Sequence, residues 1–154
     1  MLYETPEQTD ERCMRQALDE AMLAAEQGEV PIGAVITHRG TIIARAHNLT
    51  ERLNDVTAHA EMQAITAAAE YLGGKYLTDC TLYVTVEPCP MCAGAIGWAQ
   101  IPRIVYGAPD SKRGYTTLLP PGGRTPLHPK ATVTAGVLAH EARTIMQNFF
   151  KARR

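Results

Sequence analysis

Four side chains stand out by type and spacing. His59 precedes Glu61 by two positions in His59-Ala60-Glu61, and Cys89 precedes Cys92 by three in Pro88-Cys89-Pro90-Met91-Cys92. Imidazole nitrogen and thiolate sulfur are zinc donors; closed structural sites use four protein ligands, whereas three leave a position for water. Two cysteines three apart at a helix start aim their sulfurs the same way, and the positive helix end favours the thiolate. The same end is expected to help keep His59 neutral, as a ligand must be. A carboxylate beside such a site can take a proton from water and deliver it to a departing amine. On this reading His59, Cys89 and Cys92 are the ligands of one Zn2+ per subunit, and Glu61 is the catalytic group.

Each piece alone has an ordinary explanation. Cys-x-x-Cys also forms redox pairs, a lone histidine serves as a core or capping residue, and an acid suits a first helical turn. Joined in order at two helix starts, they match H-x-E…P-C-x-x-C, the signature of zinc nucleobase deaminases. The other histidines, His38, His47, His128 and His140, lack such company and are expected at the surface or in loops. Cys13 and Cys80 sit among apolar residues and are expected as plain buried thiols.

The elements that must hold these residues follow from periodicity and punctuation. Glu7 to Gln27 has apolar residues at three- and four-residue steps and Gly28 after it, which predicts a helix. Val30–Thr37 and Thr41–His47 predict a hairpin around His38-Arg39-Gly40. Asn48 to Thr57 is polar and loop-like. A second helix is predicted from Ala58 or His59 to about Tyr71, ended by Gly73-Gly74. Thr81–Val86 is β-branched and aromatic, a central strand. A short helix runs from Pro90 to Ala99, then a strand from Arg103 to Gly107. Asp110 to Lys130 is rich in glycine and proline, and a structureless stretch of that length is usually functional or disordered. Ala131–Ala135 can form a last strand. Val137–Arg154 closes the chain as a helix, with Val137, Leu138, Ile145 and Phe149 inward. Strands alternating with helices late in the chain imply parallel pairing there, with helices on both faces.

Bulk properties narrow the class. The 154 residues are 45% hydrophobic, enough for a single domain spanning 1–154 with one real core. No apolar run reaches the roughly 18 residues of a membrane span, and the acidic N-terminus is unlike a signal peptide. A soluble cytoplasmic protein with no membrane partner is expected. Four cysteines are too few for a disulfide scaffold. The net charge of −1 is unevenly spread: residues 1–100 hold 6 Lys/Arg and 14 Asp/Glu, a balance of −8, while residues 101–154 hold 9 and 2, a balance of +7. Such asymmetry fits either a basic surface for a polyanion or two halves that neutralise each other across the fold.

Longer stretches carry a resemblance. Val30-Pro-Ile-Gly-Ala-Val-Ile36, Thr57-Ala-His-Ala-Glu61, Thr81-Leu-Tyr-Val-Thr-Val-Glu-Pro-Cys-Pro-Met-Cys-Ala-Gly-Ala-Ile96 and Val105-Tyr-Gly-Ala-Pro-Asp-Ser-Lys112 resemble bacterial tRNA-specific adenosine deaminases, as do Gly136-Val-Leu and the tail Phe149-Phe-Lys-Ala-Arg-Arg154. The zinc motifs are shared across the cytidine deaminase superfamily, and the tail is the more discriminating part. The resemblance implies an α/β chain with the three-layer α/β/α cytidine deaminase-like fold and a five-stranded mixed sheet. It implies a homodimer that converts the wobble adenosine of a tRNA anticodon loop to inosine. It also implies substrate contacts at Asn48, with Pro31 and Ala60 beside it, at Asp110 and Lys112, and in the tail at Phe149, Phe150, Lys151, Arg153 and Arg154. Aromatics there can stack on flanking bases and cations can meet phosphates, although at least one of the two phenylalanines is expected to pack the helix on the core. The family commonly has a Gly/Ser-rich run after the Asp-x-Lys segment; this chain has Gly114-Tyr-Thr-Thr-Leu-Leu-Pro-Pro-Gly-Gly-Arg-Thr-Pro-Leu-His-Pro129. Ala93-Gly-Ala-Ile-Gly-Trp98 is similar to small guanine deaminases of the same fold, so a small-molecule nucleobase or nucleoside is the alternative substrate.

Overall fold

A computed structural model describes residues 3–153. Arg154, which the resemblance includes among the substrate contacts, lies outside the described residues. The chain runs α1 (Pro6–Glu26), β1 (Gly33–His38), β2 (Thr41–His47), α2 (Ala60–Leu72), β3 (Cys80–Val86), α3 (Pro90–Trp98), β4 (Arg103–Ala108), the 3₁₀ turn Tyr115–Leu118, β5 (Thr132–Ala135) and α4 (Ala139–Lys151). One five-stranded sheet has the order β2-β1-β3-β4-β5. β1 is antiparallel to β2 and β3, whereas β3–β4 and β4–β5 are parallel. This is the expected mixed α/β sheet.

Period-two alternation divides the core between two faces. Leu82, Val84, Ile104 and Ile36 point to the side covered by α2 and α3. Tyr83, Val105 and Val35 point to the side covered by α1 and α4. Cys13 and Cys80 are buried free thiols, as expected.

Several boundaries move for identifiable reasons. α1 begins at Pro6, behind a capping box in which Thr5 and Gln8 exchange hydrogen bonds. β1 begins at Gly33 rather than Val30. Pro31 has no N–H to donate, and the Ile32 N–H closes a tight turn on the Val30 carbonyl, so the ladder cannot start earlier. Arg39 and Gly40 make the hairpin turn, both with positive φ, which matches the twist of the strands. Leu138, left-handed at φ 53, precedes α4; Val137 and Leu138 therefore pack inward from the approach to the helix. His47 departs from the expected surface position. It ends β2 with only 14% of its side chain exposed, its Nε2 3.0 Å from the Gln27 amide oxygen.

The stretch from 109 to 131 is the crossover that parallel β4 and β5 require. Most crossovers are helical, but this one is irregular apart from the 3₁₀ turn. Two of its side chains, Tyr115 and Leu127, are buried in the α2/α3 side of the core.

One buried polar cluster ties the first helix to the sheet. The Asp10 carboxylate accepts from Arg103 at 2.8 and 2.7 Å and from the Tyr83 hydroxyl at 2.9 Å. The guanidinium holds Asp10 below the usual carboxylate range, against the opposing effect of burial. Because folding lowers this pKa, the stabilisation is full above the unfolded value of ~3.9 and is lost as pH falls through the folded one. We expect Asp10→Asn to cost about 2 kcal/mol at pH 7, with the gap between the two proteins' urea midpoints narrowing as the pH falls below ~3.9.

Candidate active site

The site forms where α2 and α3 begin. His59 is the N-cap of α2 and Cys89 the N-cap of α3; both have extended backbone and neither caps its helix with a side-chain hydrogen bond. Pro90 occupies the first turn of α3, where its missing N–H costs nothing. Cys92, one turn in, returns its sulfur to the same point. The His59 Nδ1 lies 3.6 Å from the Cys89 sulfur and 3.5 Å from the Cys92 sulfur. All three donor atoms lie within 4.8 Å of one another.

That spacing suits a metal. Bonds of ~2.0 Å to nitrogen and ~2.3 Å to sulfur at a tetrahedral angle put the donors ~3.5 Å apart. The electrostatics agree. Hydrogen bonding from Cys92, with help from His59, pulls the Cys89 thiol down to about 4. Its bond to Cys89 and its burial hold the Cys92 thiol well above the usual range. The Cys89 sulfur also raises His59 above an ordinary imidazole, against desolvation. The positive helix end acts in the opposite sense and favours the neutral ring that a metal ligand must be. A thiolate beside an imidazole is a donor pair that suits zinc.

Glu61 is buried in the first turn of α2 at 3% exposure. Burial is the largest cause that pushes its carboxyl up to about 7; Cys89 adds to this, while its own N–H, His59 and Cys92 oppose it. A carboxyl poised there can hold or release a proton near neutral pH.

A cavity of about 930 Å³ opens over His59, Ala60 and Glu61. Asn48 lines it, held by its backbone N–H on the Ile32 carbonyl and by its amide on the Val30 carbonyl. Asp110, Lys112, Phe150 and Arg153 line it as well. Pro31 does not; it is buried, and its neighbours Val30 and Ile32 face the cavity instead. Phe149 is buried and does not line it either. Phe149 meets Phe150 edge to face at 5.2 Å, and the Arg153 guanidinium lies 3.6 Å above its ring centre. A second cavity of about 580 Å³ adjoins the first through Asp110, Lys112, Met146 and Phe150, and adds Arg143 and Lys151.

Both readings of the charge asymmetry therefore hold in part. Lys112, Arg113, Arg143, Lys151 and Arg153 gather around the two cavities. Arg103 instead neutralises Asp10 across the fold. Sequence reasoning missed Thr50, Arg113 and Met146 as lining residues. Arg113 was within reach, being next to Lys112; nothing local marked Met146.

The two phenylalanines should behave differently. Phe149→Ala empties a core position and should cost about 3 kcal/mol in chemical denaturation. Phe150, 47% exposed, should cost less than about 1 kcal/mol on the same change.

Known proteins resemble this chain in sequence and fold. The model of the MafB19-like deaminase family matches residues 8–154. A tRNA-specific adenosine deaminase of Bacillus subtilis (strain 168) is 46% identical over 146 residues, covering 94% of this chain and 91% of that protein. A chloroplastic tRNA(adenine(34)) deaminase of Arabidopsis thaliana is 47% identical over 161 residues; the match takes in 94% of this chain, which spans 12% of that protein's length. A structure solved in a study of A-to-I editing by tRNA:A34 deaminases at the wobble position superposes with a TM-score of 0.79 at 45% identity, covering 87% of this chain and 98% of the other.

Proposed function

The chain belongs to the tRNA-specific adenosine deaminase family, and on that premise we propose that it hydrolyses the wobble adenosine of a tRNA anticodon to inosine, releasing ammonia. The observation that carries this reading is that one cavity is lined by the buried Glu61 and by His59, the imidazole that Cys89 and Cys92 join in a metal-ready donor trio. His59, Cys89 and Cys92 would hold one zinc ion per subunit. Bound there, zinc supplies the Lewis acidity that makes water a nucleophile near neutral pH. Glu61 accepts the proton that water gives up and carries it to the amine that leaves C6 of the purine. Burial keeps that proton from bulk solvent.

The rest of the cavity handles the substrate. Asn48 is anchored through its own backbone and amide, so it can hold the flipped nucleotide in one orientation. Phe150 offers a half-exposed ring for a flanking base, and Lys112, Arg113 and Arg153 offer charge for the anticodon phosphates. Asp110 accepts from the Lys112 and Arg113 N–H groups and so shapes the turn that presents both cations. A homodimer belongs to the same reading, and the exposed Met91 and Trp98 on α3 provide an apolar face for it. No helix among the described residues is long and apolar enough to cross a membrane. A cytoplasmic location fits a tRNA substrate.

The test is incubation with an anticodon stem-loop carrying adenosine at the wobble position, followed by sequencing for inosine. Absence of inosine together with turnover of free guanine would move the assignment to the small-molecule alternative. Glu61→Gln should retain about one zinc per chain by atomic emission yet lose about 10²–10⁴-fold in kcat. Normal turnover by that variant would remove Glu61 from the mechanism.

A further inference from the structure

Two further glutamates are buried near the cavity without lining it. Glu29 has 0% exposure and Glu87 has 5%. A buried carboxylate costs several kcal/mol unless its oxygens find strong donors. Here the donors come from two loops. The Glu29 oxygens accept one each from the Glu51 N–H at 3.0 Å and the Arg52 N–H at 2.7 Å. The Glu87 Oε1 accepts from the Asp110 N–H at 3.1 Å; its Oε2 accepts from the Thr116 N–H at 3.1 Å and the Thr116 hydroxyl at 2.6 Å. Gly114 passes so close to the Glu87 carboxylate that a Cβ there would collide with it.

The same device is thus used twice. One loop follows β2 and supplies Asn48 and Thr50 to the cavity; the other follows β4 and supplies Asp110, Lys112 and Arg113. Neither loop contains Glu61 or the donor trio. The first is cross-linked to the α1–β1 connection and the second to the end of β3, each by a carboxylate that bridges two of its backbone N–H groups. Charge-assisted bonds of this kind are about twice as strong as neutral ones.

We propose that Glu29 and Glu87 are positioning residues that fix the two substrate-lining loops, and that they govern substrate affinity rather than the chemical step. The proposal rests on the deaminase reading for its kinetic part only. Glutamine keeps the shape but offers one acceptor oxygen for two N–H groups, so one donor is orphaned and its loop loosens. In the full chain with its metal, Glu29→Gln and Glu87→Gln should each raise KM for the anticodon stem-loop about tenfold, with kcat changed by less than about threefold. Thr116→Val, which leaves both N–H bonds to Glu87 in place, should raise KM about threefold.

Amide hydrogen exchange reads the same idea without any assay of activity. Glu29→Gln should speed exchange in residues 49–57 alone, and Glu87→Gln in residues 109–118 alone. A KM unchanged in both glutamine variants, or a fall confined to kcat, would overturn the kinetic claim. Exchange that accelerates evenly through α1 and β3 would reduce both residues to general stabilisers. If a glutamine variant fails to fold, Thr116→Val decides for Glu87 by the same two readouts. Wild-type protein that makes no inosine counts against the tRNA substrate; loop-confined exchange would still support the positioning role.

Discussion

The contact between one imidazole nitrogen and two sulfurs at 3.5–3.6 Å sets terms for much of the rest of the fold. It needs two helix N-termini to converge, and each must arrive with a side chain that is not spent on capping its own helix. The sheet meets this demand. β3 runs directly into α3, and the loop after β2 brings the start of α2 alongside. Any slip of β3 against β1 by one residue would exchange the two faces of the core and pull the donors apart at the same time. Packing and chemistry thus depend on one register, Ala34 against Val84 and Ile36 against Leu82.

The molecule is also economical in where it buries charge. Asp10, Glu29, Glu61 and Glu87 are all nearly inaccessible, yet they have different company. Asp10 meets a guanidinium and a phenol. Glu29 and Glu87 meet backbone N–H groups. Glu61 lacks a partner of that strength, and burial raises its proton affinity to near neutrality. The environment, more than the residue type, separates a carboxylate that holds structure from one that can exchange a proton.

Much of the centre of the molecule was legible in advance. The donor trio and Glu61 could be read because their spacing is local and each motif opens a helix. The order of elements could be read because apolar periodicity is strong from Met14 to Val105. What stayed hidden depends on contacts between distant segments. Glu29 and Glu87 look like ordinary acids beside Gly28 and Pro88, since their N–H partners lie more than 20 positions away. His47 reads as a surface histidine at a strand end until Gln27 and Glu20 close over it. The anchoring of the 109–131 crossover was equally unreadable, because its two buried anchors, Tyr115 and Leu127, are spaced without any period.

That crossover has a bearing on how the fold can diversify. Its two ends do different work: the first turn carries Lys112 and Arg113 beside the cavity, and the second anchor delivers the chain to β5. Between Tyr115 and Leu127 the backbone runs largely exposed, with few partners to lose. Length can vary in that interval at little thermodynamic cost, since closure entropy grows only logarithmically. Inserted or deleted residues there would leave the register of β4 and β5 intact. The Pro/Gly-rich interval of this chain is therefore a natural place for related sequences to differ in length.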